Sequence, residues 1–316
     1  MKIIKDENAY ITSILLLVML IPVLLLLIVV IDQHSHDVNS TLDKLQSDKI
    51  KSICSDFEEI IITITKESLH NITHEIVTSN RSKTTSDEIK KHIQSKIDEY
   101  TLAMDNDYNM HCKIDELNPA TDPFKIEIEY SLQISTKDNK ISIIKNQRKL
   151  VEITDKNYPV YDPLPTLKTG AIFREGYVDY KNKLSEYVVS DTDDVYVNVK
   201  QHIIIRECPI NNYIQHGNTN QSMMFCLNNH YYHDSHDGMC LLCRLENSSS
   251  CNHHGLETFI LPTKIFDAAP VSIDHVLLND RNNQYTGNIM TINNNTGIYL
   301  DNGHKKKYGL WTTRDK

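Results

Sequence analysis

Seven cysteines and fifteen histidines in 316 residues carry most of the chemistry this sequence could perform. Five of the cysteines fall in the C-terminal half, at Cys208, Cys226, Cys240, Cys243 and Cys251. Cys240-Leu241-Leu242-Cys243 is a Cys-x2-Cys knuckle, and Cys251-Asn252-His253-His254 follows within eight residues. A tetrahedral zinc site needs four soft or borderline ligands, and a close pair lets one tight turn supply two of them. His230, His233 and His236 lie just upstream as further candidate ligands. The spacing lacks the second Cys-x2-Cys of a zinc ribbon, and outside a cell the default use of such cysteines is disulfides. The set Cys208, Cys226, Cys240, Cys243, Cys251, His253 and His254 therefore reads as disulfide or metal, with zinc the candidate cofactor. Cys54 and Cys112, in the N-terminal half, form a candidate disulfide of their own.

Other chemistry is weaker. Cys251 with His254 or His275, oriented by Asp274, makes a nucleophile, base and orienter on paper. Fifteen histidines guarantee that some such set exists, so it singles out no catalytic residue. A thioredoxin-type use of Cys240 and Cys243 needs a strand before and a helix after, whereas Asp234 to Gly238 reads as a loop. Asp191, Asp193 and Asp194 lack the glycine turn and distal glutamate of a calcium loop, and read as a solvated acidic turn. Lys305-Lys306-Lys307 reads as a solvated turn too. Glycosylation sequons at Asn39, Asn71, Asn80, Asn220, Asn247 and Asn294 fit an outer location, though an Asn-rich chain produces several by chance.

The elements that must position these groups begin at a membrane. Ala9 to Ile31 holds no charged residue. A helix from Tyr10 to Ile31 spans roughly 33 Å, matching a hydrocarbon core of about 30 Å. The run ends in Asp32-Gln33-His34-Ser35-His36-Asp37 with no small-residue cleavage site, so the segment reads as a retained anchor. Lys2 and Lys5 flank it on the N-terminal side only, which predicts a cytoplasmic N-terminus and a C-terminal part outside. About nine residues before the anchor are too few for a cytoplasmic signalling domain. Pro22 removes one backbone hydrogen bond in mid-helix and predicts a kink, as membrane helices tolerate.

A short charged leader, Lys2 to Ala9, running straight into an apolar helix that continues as a polar one resembles archaeal type IV pilin-like proteins. Leu20-Ile21-Pro22-Val23-Leu24-Leu25-Leu26-Leu27 also resembles the anchor of TadE-like pilus-assembly proteins. The resemblance covers the N-terminal fifth of the chain. It implies a leader cut near Ala9 and homo- or hetero-assembly through the N-terminal helix. The leader lacks the usual glycine before the cut, and no glutamate stands fifth after it.

Between Pro22 and Pro119 there is neither proline nor glycine, which marks a helix-rich half. Val38, Leu42, Leu45, Ile50, Ile53, Phe57, Ile60 and Ile64 recur at spacings of mostly three and four, so one helix is expected from the membrane to about Asn80, with this stripe in the core. Ser86 or Asp87 would cap a second helix with Ile89, Ile93, Ile97 and Leu102 inward. Ile126, Ile128, Tyr130, Leu132 and Ile134 alternate with polar residues as a half-buried strand, and Ile141 to Ile153 returns beside it after the turn Lys137 to Lys140. Tyr158 to Pro165 reads as a stiff connector to a second module. There Tyr177 to Val188 is expected to be helical, Val195 to Val199 and His202 to Ile205 to be strands, and the Asn- and Gly-rich chain beyond Thr263 to form turns and short strands.

The fold class expected is thus α+β: a transmembrane helix continuing into a long helix packed on an antiparallel sheet, then a Cys/His-rich, loop-rich domain. The divisions are a leader (1–9), the transmembrane helix (10–31), a helix-hairpin module (32–157), a Pro-rich connector (158–166) and the Cys/His-rich domain (167–316). Lys+Arg 33 against Asp+Glu 42 leaves a net charge of −9. A nucleic-acid binder would need a basic face, so no nucleic-acid partner is expected. The leading expectation is a single-pass membrane protein, structural or adhesive in an envelope or pilus-like assembly. Its rival is a tethered zinc- or thiol-dependent enzyme. Four protein ligands closing a metal's shell would favour the first, and three plus water the second.

Overall fold

The computed structural model describes residues 7–79, 82–104, 108–181, 199–210, 226, 229–235, 238–257, 261–262, 269–270, 288–293 and 296–300. The fold is mixed α+β, a long N-terminal apolar helix with antiparallel sheets. Helix α1 runs unbroken from Glu7 to Ser79 with Pro22 inside it. Its 73 residues extend for about 110 Å at about 1.5 Å each. By length and composition its apolar stretch can cross a membrane, and every large apolar side chain from Leu15 to Ile31 is exposed.

The stripe expected to be core divides in two. Ile50, Phe57 and Ile64 are buried, and Ile53 and Ile60 pack partly covered against them. Val38, Leu42 and Leu45 are exposed instead. The helix runs on from its apolar segment as a stalk before it meets the rest of the protein, so these three have nothing to pack on among the described residues.

Helix α2 (Ser86–Met104) buries Ile89, Ile93 and Ile97, while Leu102 is exposed near its C-terminal end. Its cap lies one residue earlier than expected. The Thr85 hydroxyl accepts from the Glu88 N–H at 3.2 Å, and the Glu88 carboxylate accepts from the Thr85 N–H at 2.9 Å. This reciprocal pair satisfies two backbone donors at once.

Three strands follow as an antiparallel meander in the order β1-β2-β3: β1 (Tyr108–Pro119), β2 (Lys125–Thr136) and β3 (Ser142–Glu152). β2 and β3 are the expected hairpin, with Ile126, Ile128, Tyr130, Leu132 and Ile134 all buried. β1 is an addition. Its alternation Met110, Cys112, Ile114 is cut short by a bulge between Ile114 and Glu116, so a strict period of two does not reveal it. Gln94 of α2 completes this edge strand as a neighbouring strand would. Its amide donates to the Cys112 carbonyl and accepts from the Ile114 N–H, each at 2.8 Å. The edge is thereby covered rather than left open to pairing.

The expected connector is not a spacer. Val160, Tyr161, Asp162, Leu164 and Pro165 are buried. Asp162 N–H donates to the Ile203 carbonyl at 2.6 Å and Ile205 N–H to the Val160 carbonyl at 3.0 Å. On its other side the Tyr161 N–H donates to Thr73 of α1 at 3.2 Å. The hydrophobic core accordingly runs through both expected modules, joining Ile50, Phe57 and Ile93 to Leu241, Leu245 and Leu256.

After the short helix α3 (Leu164–Thr169), β4 (Phe173–Arg174) and β5 (Tyr177–Lys181) form a hairpin. Glu175 (φ 48°) and Gly176 (φ 90°) make its two-residue loop. Both left-handed residues match the twist of a tight hairpin, so Tyr177 to Lys181 is strand rather than helix; residues 182–188 lie outside the described ones. β6 (Val199–His202) joins the two segments expected as strands, and residues 195–198 are likewise outside the description. β9 (Leu261–Pro262) completes the sheet β4-β5-β6-β9. β7 (His233–Ser235) pairs with β8 (Gly255–Glu257), and α4 (Leu241–Leu245) lies between them in sequence. Beyond Thr263 the described residues are short strands, β10 (Ala269–Pro270), β11 (Asn288–Asn293) and β12 (Thr296–Leu300). That is the character expected of this region.

Candidate metal centre

Cys240 stands at the N-terminal boundary of α4 and Cys243 within its first turn. The turn after α4 closes when Asn247 enters the left-handed region (φ 52°) and the Ser248 N–H donates to the Cys243 carbonyl at 3.0 Å. The chain then returns to place Cys251 and His253 over the knuckle. His253 Nδ1 lies 3.5 Å from Cys240 Sγ, 3.6 Å from Cys243 Sγ and 3.5 Å from Cys251 Sγ. A tetrahedral ion with bonds of about 2.3 Å to sulfur and 2.0–2.1 Å to nitrogen sets sulfur and nitrogen about 3.5–3.6 Å apart. The three spacings agree with that figure, and the four atoms could hold one metal ion.

The surroundings suit thiolates. The His253 N–H donates to Cys251 Sγ at 3.4 Å. Hydrogen bonds from Cys240 and Cys243 hold the Cys251 thiol well below its ordinary range, while hydrogen bonding with Cys240 and Cys251, together with burial, pushes Cys243 up. A metal ion takes cysteines as thiolates, so binding one here releases thiol protons. Cys240 is buried, Cys243 and Cys251 are half-buried, and His253 is exposed, so the centre sits at the margin of the core.

Two glycines bring the flanks of this centre together. Gly238 precedes Cys240 and Gly255 follows His254, and a Cβ on Gly238 would collide with the Leu256 carbonyl, one on Gly255 with the Gly238 carbonyl. Met239 and Leu256 bridge there, with the Leu256 N–H donating to the Met239 carbonyl at 3.0 Å. Arg244 of α4 then threads the knuckle into the core. Its Nε donates to the Met239 carbonyl at 2.8 Å, its Nη2 to the Leu256 carbonyl, and its Nη1 to Asp162 Oδ2 at 2.6 Å. Neither Arg244 nor Asp162 is marked in the sequence, because a buried ion pair leaves no periodic trace. Asp162 between two prolines was the one available hint.

Not all the expected ligands join this centre. His254 turns away to Asp234, with Nε2 to Oδ2 at 3.1 Å. His233 lies with Cys208 and Cys226 in a second group whose ligand atoms all fall within 4.8 Å of one another. His230 stacks almost parallel on His202, and burial lowers both imidazoles, His230 to about 4. His236, His275, Asp274, the three aspartates at 191, 193 and 194 and the lysines at 305–307 lie outside the described residues. The expected bridge between Cys54 and Cys112 is not formed. Both are buried free thiols in the common core, one on α1 and one on β1. Burial, with help from Asp115 and Asp98, pushes the Cys112 thiol up to about 12. Asp234 and Ser235, expected in a loop, belong to β7.

No family model, no curated protein and no solved structure matches this chain.

Proposed function

We propose that this protein is a single-pass membrane-anchored structural or adhesive component of a cell-envelope or pilus-like assembly. In this reading its head is stapled by zinc at Cys240, Cys243, Cys251 and His253. The observation that carries it is the ligand set. Four protein donors close a tetrahedral shell, and a closed shell builds structure, whereas a catalytic ion keeps a position for water. Borderline-soft zinc suits three thiolates and an imidazole. The apolar length of α1 supports the anchor, and Lys2 and Lys5 support an outward-facing head. Exposed Val38, Leu42 and Leu45, continuing the apolar surface along the stalk, support assembly of chains side by side through this helix. The likeness to pilin leaders adds loss of residues before Tyr10.

The deciding experiment is elemental analysis of the full chain in detergent, combined with thermal unfolding in chelator or reductant. Zinc retained by wild type and lost from this centre in Cys243→Ser, with chelator lowering the melting temperature and reductant not, is the expected result. Equal stability of Cys243→Ser and wild type would remove the staple. Chemical cross-linking in membranes tests assembly, with multimers expected for wild type and fewer for Leu42→Glu. Protease added to intact cells should degrade the head, and N-terminal sequencing should begin at Tyr10.

A further inference from the structure

We propose that Cys208, Cys226 and His233 form a second metal site, chemically unlike the first, whose ion faces a cavity and keeps an exchangeable position. The three side chains come from well-separated places, with Cys208 following β6, Cys226 between that segment and β7, and His233 opening β7. All three are buried. The fold carries them to within 4.8 Å of one another, ligand atom to ligand atom.

The separation of the two sulfurs decides between a metal and a covalent bond. Cys208 Sγ and Cys226 Sγ are 3.3 Å apart. A disulfide requires closure to about 2.05 Å, a shift of more than an ångström by two packed side chains. A tetrahedral ion with bonds of about 2.3 Å requires the sulfurs to part to about 3.8 Å, roughly half an ångström. The imidazole is the third point of the same group, and the buried Glu257 carboxylate lies 3.8 Å from its Nδ1, as a carboxylate beside a metal-ligating histidine does. The backbone also treats Cys208 as it treats a ligand of the first centre. The Ile210 N–H donates to Cys208 Sγ at 3.4 Å, as the His253 N–H does to Cys251 Sγ at 3.4 Å. In both cases the donor two residues on supplies a hydrogen bond to the charge a thiolate carries.

The two groups differ in what surrounds them. The first places four donors about one point. Around the second, three donors are present among the described residues, and Cys208 and His233 line a cavity of about 340 Å³. Asp122, Glu207, Asp234 and His254 share that lining. Three carboxylates lining one cavity favour cations within it. Two thiolates and an imidazole, with water in the remaining place, is a known ligand set for zinc with an exchangeable fourth position. The ligand that the site would take is therefore a borderline-soft divalent cation, with water or a small anion as the fourth donor.

The test uses the full chain in detergent, purified without reductant, reconstituted with zinc and separately with cobalt(II). Two ions per chain are expected. Cys208→Ser and His233→Gln should each lower this to one while preserving the thiolate-to-cobalt charge-transfer bands of the first centre, which also reports that the variant is folded. Cys243→Ser should remove the other ion. Azide should shift the cobalt ligand-field bands of wild type and of Cys243→Ser, and leave those of Cys208→Ser unchanged. One ion per chain in wild type, unaffected by Cys208→Ser, would overturn the site, as would a Cys208–Cys226 disulfide found by mass spectrometry. Two ions with no response to azide would overturn the exchangeable position. Each of these results leaves the first centre standing or falling on Cys243→Ser alone.

Discussion

Arg244 and Asp162 form an ion pair at 2.6 Å with both side chains completely buried. One lies on the Cys-x2-Cys knuckle and the other in the Pro-flanked segment that crosses from the meander to the C-terminal half. Asp162 is fully engaged. It also accepts from the Leu164 N–H at 3.0 Å and from the Tyr232 hydroxyl at 3.3 Å. The knuckle is therefore oriented by a charge pair whose second member lies 82 residues away in sequence.

Removing one partner strands the other in a low-dielectric core. Asp162→Ala should destabilise the protein by about 3–5 kcal/mol, read as a lowered denaturant midpoint by circular dichroism. The double variant Asp162→Leu with Arg244→Met should recover much of that loss, since neither charge is then left alone. An Asp162→Ala midpoint equal to wild type would show that the pair does not hold the knuckle.

The approach of Gly238 to Gly255 allows no side chain at either position. Gly255→Ala should cost about 1–3 kcal/mol, the usual range for overfilling a packed site, and should weaken metal binding at the adjacent centre. Competition with a chromogenic chelator measures the second effect, and unchanged affinity would separate the strand contact from the metal.

Acid should act in two steps. Burial holds His230 neutral, with its imidazole at about 4. A base held below its ordinary value contributes stability that is complete above about 6.5 and is lost as pH falls toward about 4. Glu58 acts lower. Burial raises its carboxyl, but hydrogen bonds from Lys149 and Lys145 outweigh that and hold it below the ordinary value. Its contribution is complete above the ordinary carboxylate range and lost as pH falls through the lowered value. His230→Gln should flatten the upper part of the stability curve only, and Glu58→Gln the lower part only. Melting temperature recorded against pH for both variants checks the assignment.

Cys112 should resist alkylation in the folded protein, because its buried thiol titrates near 12 and only the thiolate is nucleophilic. Iodoacetamide at neutral pH should modify it only after denaturation. Labelling at the rate of an exposed thiol would mean that β1 opens without global unfolding.

The local regularities were legible along the chain. The absence of glycine and proline between residues 22 and 119 announced α1 and α2, and α1 ends at Ser79, next to the expected Asn80. The alternation from Ile126 to Ile134 announced β2, since burial of one sheet face imposes a period of two. Cys240, Cys243, Cys251 and His253 stood out only within a larger set, with Cys208, Cys226 and His254, that read as disulfides or metal ligands, because close spacing in sequence serves either use. Other features depend on contacts between distant segments, which no local period records. Val38, Leu42 and Leu45 share their spacing with Ile50 and Phe57, and only the tertiary structure decides where along α1 the core begins. The bulge in β1 hides its alternation, and the side chain that repairs its edge, Gln94, belongs to another element. His233 and His254 are as near the knuckle in sequence as other candidates, yet pairing of β7 with β8 directs one to Cys208 and Cys226 and the other to Asp234. The prolines around Asp162 suggested a spacer because they stiffen a chain. The fold uses that stiffness to hold a buried carboxylate for Arg244, a role that exists only once both halves have packed.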